Sequence, residues 1–200
     1  MKLFPGIVGV LLIATGIGVP TVLGANTPGY DPRTNFLSEL GATGAPSADL
    51  MNFGAFLPTG VLWAVAAALI WRRLPQGALG TAGALLLFGG AISYVGSAVY
   101  PCDAGCPGSG SFSQTMHNLT GAIGYFLTPP ALALIGLQCR SAGRAVFGAA
   151  TLVCAAIAAV GFGLMLQDLG ANNAGLWQRF ADFTPILWMA SALVVAPRAR

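Results

Sequence analysis

The chain has 200 residues, of which 56% are hydrophobic and only 8% charged, with a formal net charge of +3. These numbers exclude an ordinary soluble domain, in which about a quarter of residues are charged. No stripe of Lys and Arg interleaved with aromatics exists, which excludes nucleic acid as a partner.

Backbone groups in hydrocarbon must be satisfied within their own segment, so each long apolar run is read as a helix. About 20 residues cross the hydrocarbon core. Six such runs occur: Leu3–Leu23, Leu50–Trp71, Ala78–Val99, Met116–Gln138, Ala145–Leu166 and Leu176–Val195. The expected fold is all-α, a polytopic integral membrane six-helix bundle forming a single transmembrane domain over residues 1–200. Lys2 before the first run resembles the start of a signal peptide. An apolar signal core is about 7–15 residues, and this longer run is read as an uncleaved span.

The carboxylates Asp31, Glu39, Asp49, Asp103 and Asp168 fall in the segments between alternate pairs of runs, and Asp182 lies near the start of the sixth run on the same side. Lys2, Arg72, Arg73, Arg140, Arg144, Arg198 and Arg200 fall in the other segments and at the termini. Basic residues stay in the cytoplasm, so the expected protein is a multi-pass one of the cell membrane with both termini cytoplasmic. Almost every reactive side chain then lies on the outer side.

In the first outer loop Asp31-Pro32 reads as an N-cap followed by proline at the first helical position. A short amphipathic helix is expected from Thr34 to Leu40, stopped by Gly41. Asn35, Ser38 and Glu39 share one side of it, and Phe36, Leu37 and Leu40 the other. The segment Glu39-Leu40-Gly41-Ala42-x-x-Ala45 is echoed by Asp168-Leu169-Gly170-Ala171-x-x-Ala174, through hairpin duplication or chance.

The second outer loop holds Cys102-Asp-Ala-Gly-Cys106. An oxidising compartment favours a Cys102–Cys106 disulfide; a metal pair is the alternative, although zinc motifs normally use two pairs. Cys139 and Cys154 are read as small apolar residues. Ser111-x-x-Gln114 is a capping box opening the fourth span.

His117, the one histidine, sits above Gly121, Gly124 and Thr128 on one helix face. It could face a ligand head group over a small-residue groove, or steady the helix entry. Arg179 and Asp182 enter the sixth span at i, i+3 spacing. They could form ion pairs, or Arg179 could recognise a ligand anion with its planar fork. Glu39, Asp103 and His117 come from different outer segments and could converge as a general acid/base set or as three metal ligands. No His-Glu-x-x-His or Gly-x-Ser-x-Gly motif supports a particular reaction, and no cofactor or metal is expected. The span middles contain no charge, which disfavours an ion-coupled carrier.

The ordered motifs Asn35-x-x-Ser38-Glu39-Leu40-Gly41-Ala42, Pro101-x-Asp103, His117 and Gly175-Leu176-Trp177-Gln178-Arg179 resemble the bacterial and archaeal six-span family catalogued as domain of unknown function 998. The resemblance covers nearly the whole chain and implies a six-helix membrane bundle with its polar residues at the outer face. It brings no reaction with it. The two-cysteine loop around Asp103 departs from the family pattern.

The expected function is an outward-facing pocket that binds, with or without processing, a membrane lipid head group or small amphiphile. Glu39, Asp103 and His117 are the catalytic candidates. Arg179, Asn35, Ser38, Asp182, Gly121 and Gly124 are the binding candidates. A non-catalytic subunit of a membrane complex, a homo-oligomer, or a facilitator for a small solute are the alternatives.

Overall fold

The computed structural model describes residues 3–168 and 172–195. Lys2, Arg198 and Arg200 of the charge pattern, and Leu169, Gly170 and Ala171 of the internal echo, lie outside the described residues. Among the described residues the chain is helical, without strands. The long helices are α1 (Phe4–Ala25), α2 (Leu50–Trp71), α3 (Ala78–Val99), α4 (Phe112–Ser141), α5 (Ala145–Gln167) and α6 (Ala174–Val195). The first five are long and apolar enough to cross a membrane, as a multi-pass membrane protein requires. Helix α6 is less apolar because Gln178, Arg179 and Asp182 occupy its first half.

Each helix packs on its sequence neighbours, and α1 closes the ring against α6. Leu12, Met51, Ile70, Leu87, Leu132, Ile135, Ile186 and Met189 fill the interior, while Val10, Val146, Val160 and Val194 are exposed around the perimeter. Small residues bring the backbones together, the packing mode expected where lipid supplies no hydrophobic gain. A Cβ added to Gly148 would lie 2.6 Å from the Gly136 carbonyl oxygen, joining α5 to α4. One on Gly161 would lie 2.9 Å from the Ala181 nitrogen, joining α5 to α6.

Three of the long helices are not uniformly α-helical, and one of them, α3, is interrupted by a turn at Leu87. Ala14–Gly18 in α1 and Leu50–Phe56 in α2 take the wider π-helical turn. The Thr59 hydroxyl donates to that of Thr15 at 2.9 Å, tying the two helices together. Helix α4 runs through Pro129 and Pro130, whose missing N–H groups leave the Tyr125 and Phe126 carbonyls without their i+4 donors.

The loops segregate by charge in space as they do in sequence. At the basic end, the Arg144 guanidinium donates to the Arg73 carbonyl at 3.2 Å and the Gln138 amide to the Gln76 carbonyl at 3.3 Å. At the acidic end, the Thr43 N–H donates to the Cys102 carbonyl at 2.8 Å and the Leu176 N–H to the Arg33 carbonyl at 2.9 Å. The first long loop is therefore joined to the Cys102 loop and to the start of α6, and these form a layer over this end of the bundle.

The first long loop differs from the two-turn helix that its sequence suggests. A turn at 32–34 is followed by an extended Phe36 and a 3₁₀ helix over Leu37–Gly41. Glu39 takes the Phe36 N–H that an α-helix would need, while Asn35 closes the turn onto the Asp31 N–H ahead of it. Asn35 Oδ1 accepts from the Asp31 N–H at 2.9 Å, and Glu39 Oε1 accepts from the Phe36 N–H at 2.7 Å. Leu37, Ser38, Leu40 and Gly41 are all buried, so the segment is sunk into the bundle and is not amphipathic at its surface.

Candidate functional site

Beneath the loop layer lies a cavity of about 780 Å³, within the 300–1,000 Å³ range of small-molecule sites. Its two sides differ in chemistry. Ser93, Tyr94 and Ser97 come from α3, His117, Asn118 and Tyr125 from α4, and Gln178 and Asp182 from α6. The first loop adds Asn35, Ser38 and Glu39. Helix α5 contributes only Phe162, Met165 and Leu166. Phe126 and Leu166, also in the lining, are 63% and 47% exposed. The cavity therefore reaches the apolar perimeter of the bundle at the α4–α5 seam. There Phe162 stacks on Tyr125 with ring centroids 5.1 Å apart and meets Phe126 edge-on at 5.0 Å.

A chain of hydrogen bonds joins the floor to the roof. The Tyr125 hydroxyl donates to Asp182 Oδ2 at 3.1 Å and accepts from the Gln178 amide at 3.1 Å. Gln178 Oε1 in turn accepts from the Leu37 N–H at 2.5 Å. The 3₁₀ helix is thereby anchored to α6 and, through Tyr125, to α4. Beneath Asp182 the space narrows to a second void of about 20 Å³, bordered by Trp63, Thr128 and Pro185, enough for about one water.

His117 is only 8% exposed and is fixed by the Tyr100 carbonyl, 2.9 Å from Nδ1. A carbonyl can only accept, so Nδ1 carries a proton, and Nε2 of the neutral ring is an acceptor. Glu39 also lines the cavity, but both of its oxygens hold the loop, Oε2 accepting from the Asn35 amide at 2.9 Å. The two glycines of the groove differ. A Cβ on Gly121 would meet nothing within 4 Å, whereas one on Gly124 would lie 2.5 Å from the Ser93 Cβ. Gly121 faces open space and Gly124 is a helix contact.

Asp103 and Arg179 do not line the cavity. Asp103 accepts from the Ser111 N–H at 2.8 Å and from the Ser111 hydroxyl at 2.7 Å. It thus takes the place that the capping box assigns to Gln114. Ser111 still caps α4 by accepting from the Gln114 N–H at 3.1 Å. The Gln114 side chain, fully buried, binds the Asp103 N–H at 2.7 Å and Asn118 Oδ1 at 2.8 Å. Cys102 and Cys106 are joined by a disulfide, and Cys106, Pro107 and Gly108 border the cavity mouth.

Arg179 serves the first loop. Its guanidinium donates to the carbonyls of Pro32 at 2.6 Å, Gly175 at 2.8 Å and Asn35 at 3.2 Å, and to the Tyr30 hydroxyl. It also lies 5.7 Å from the centroid of the Tyr30 ring. Burial pushes the Tyr30 phenol above its ordinary value, and Arg179 opposes that shift. Gly175 completes the clamp, because a Cβ there would lie 2.1 Å from the Asn35 carbonyl oxygen. The sequence signal for this clamp was the i, i+3, i+4 set Gly175, Gln178 and Arg179. The spacing of Arg179 and Asp182 drew attention away from it. Tyr94, Tyr125, Asn118 and Gln178 are cavity residues that sequence reasoning passed over. The run His117, Gly121, Tyr125 at i+4 steps was the available sign of a cavity face on α4.

The Ser111 N–H and, next, its hydroxyl hold the Asp103 carboxyl below its ordinary value of 3.8. A carboxyl with a lowered folded value stabilises the loop above its unfolded value, and that contribution is lost as pH falls through the folded one. Amide exchange at Ser111, corrected for its intrinsic rate, is therefore expected to accelerate only below about pH 3.8. In Asp103→Asn it should be fast already at neutral pH, without the acid step.

Among the described residues no group of three or more His, Cys, Asp and Glu side chains is gathered as metal ligands would be. The model of the family described as protein of unknown function (DUF998) matches residues 7–195. No curated protein and no solved structure matches the chain.

Proposed function

This chain belongs to the DUF998 family of proteins of unknown function, and from that premise we propose that it is a six-span protein of the cell membrane that binds an amphiphile. In this reading α6 is the sixth span, both termini are cytoplasmic, and the cavity faces outward. The head group sits among the polar side chains of α3, α4 and α6, and the apolar portion passes Phe162 and Leu166. The observation that supports it is the two-sided lining of the cavity together with its reach to the exposed Phe126 and Leu166. A soluble polar substrate would have no use for a wall supplied wholly by apolar residues of α5. Processing of the bound molecule would fall to His117 Nε2 as proton acceptor, with Asp182 across the cavity.

Two other readings have less support. Glycines of α1 and α3 motivate a partner subunit, yet Gly9 meets Ala190, Gly83 meets Ala131 and Gly96 meets Thr120 inside this bundle. A solute facilitator needs a continuing path, and the void below Asp182 is only about 20 Å³.

The test is mass spectrometry of protein extracted gently from membranes. A copurifying amphiphile at about one per chain is expected, and its absence from Gly121→Leu protein would place it in the cavity. Equal amounts on both proteins would remove the reading.

A further inference from the structure

We propose that the head group this cavity accepts is cationic, an amine or quaternary ammonium seated between Asp182, Glu39 and the Tyr94 hydroxyl. The proposal rests on the amphiphile-binding reading and adds to it the charge of the ligand.

The cavity lining contains the carboxyl groups of Glu39 and Asp182 and neither a lysine nor an arginine. The basic side chains of the surrounding layer are spent elsewhere. Arg179 donates to three carbonyls and a phenol, and the Arg33 guanidinium donates to Asn173 Oδ1 at 2.6 Å. A phosphate or carboxylate head entering the cavity would meet two acids and no lysine or arginine in the lining. Removal of a charge from water is tolerated only when a partner of opposite sign is supplied. Here the lining itself offers acidic partners and no basic ones.

A second observation is independent of the acids. Tyr94 is 7% exposed and borders both the large cavity and the void beneath it, and its hydroxyl has no hydrogen-bond partner among the described residues. Buried hydroxyls are normally satisfied, so this one is placed to accept from a ligand N–H or to face an ammonium dipole-first. The ring faces strengthen the same preference. Tyr125, the hydrogen-bond partner of Asp182, stacks on Phe162, and aromatic faces attract organic cations within about 6 Å of the ring centroid.

The experiment uses the full chain in dodecyl maltoside micelles and three probes with the same twelve-carbon tail: dodecyltrimethylammonium, dodecylamine and dodecyl phosphate. Binding is counted by native mass spectrometry over a concentration series. Both cationic probes should bind one per chain, at least about 10-fold more tightly than the phosphate, a difference of about 1.4 kcal/mol. Asp182→Asn, which keeps an acceptor for Tyr125, should bring the probes within about 3-fold of one another. Should that variant not fold, the wild-type ranking alone decides. If dodecyl phosphate binds as tightly as the cations while Gly121→Leu abolishes all binding, the cavity reading stands and the cationic head group is wrong. If Gly121→Leu leaves every probe bound as before, the cavity reading itself falls, and this proposal with it.

Discussion

Gly121→Leu is expected to abolish amphiphile binding while leaving the fold at least as stable as before. Helix α4 places Gly121 on the cavity face, and an added Cβ there would meet no heavy atom within 4 Å. The new side chain would occupy the space where the head group joins its tail. A loss on the order of 100-fold or more in affinity follows, about 2.7 kcal/mol or greater. Stability should not suffer, since removing glycine from a helix interior is worth about 0.5–1 kcal/mol. Gly124→Leu, one turn further along, is the contrasting control. Its Cβ would lie 2.5 Å from that of Ser93, and overpacking of this kind costs about 1–3 kcal/mol. Binding titrations beside thermal unfolding in detergent separate the two. A Gly121→Leu protein that unfolds early would show that the space beside Gly121 is not open.

Arg179→Ala should release the first long loop from α6. The guanidinium joins Pro32, Asn35 and Tyr30 of the loop to Gly175 of the helix. Hydrogen bonds to a charged group contribute about 1.5–3 kcal/mol, and several share this one donor. A destabilisation of about 2–4 kcal/mol is expected. The same loss should loosen the backbone around Arg33, whose side chain is already exposed, so that limited trypsin digestion cuts within the loop far faster than in the wild type. Arg179→Lys should recover less than half of the loss, because an ammonium lacks the planar fork. Cleavage rates that do not change in Arg179→Ala would mean that Gly175 and Gln178 hold the loop by themselves. The cavity would feel the release as well, since Gln178 connects the Leu37 N–H to Tyr125 and so to Asp182.

The long helices were legible because hydropathy over some 20 residues averages out every local preference. Helix α6 reads as a span in the same way, although Gln178, Arg179 and Asp182 leave it no stretch as apolar as those of the other five. The loops resisted reading where short polar side chains compete for backbone groups. Asp31-Pro32 and Gly41 carry strong start and stop signals for an α-helix. Glu39 nevertheless diverts the Phe36 N–H, and Asn35 closes onto the Asp31 N–H, leaving a turn and a 3₁₀ helix. Ser111 and Gln114 show the same effect, for the box pattern is present while Asp103 supplies one of its two bonds.

Candidate site residues divide along a similar line. Glu39, Asn35, Ser38, His117, Gly121 and Asp182 share the large cavity, the first three from the first long loop sunk into the bundle and the others from α4 and α6. Asp103 and Arg179 do not share it, because each meets nearer backbone donors or acceptors first. Nothing in the uniform apolar sequence of α5 marks Phe162, Met165 and Leu166 as one wall of a cavity. Only the position of α5 beside α4 and α6 gives them that role.

The most direct measurement is a density map of the full chain extracted from membrane into a lipid-retaining polymer, without detergent. An elongated feature is predicted, its compact end among Asp182, Tyr94 and Glu39 and its long end passing Phe162 and Leu166 into the surrounding lipid. A cavity closed by inward collapse of α4 onto α5, or one holding only water with lipid stopped outside Phe126, would contradict it.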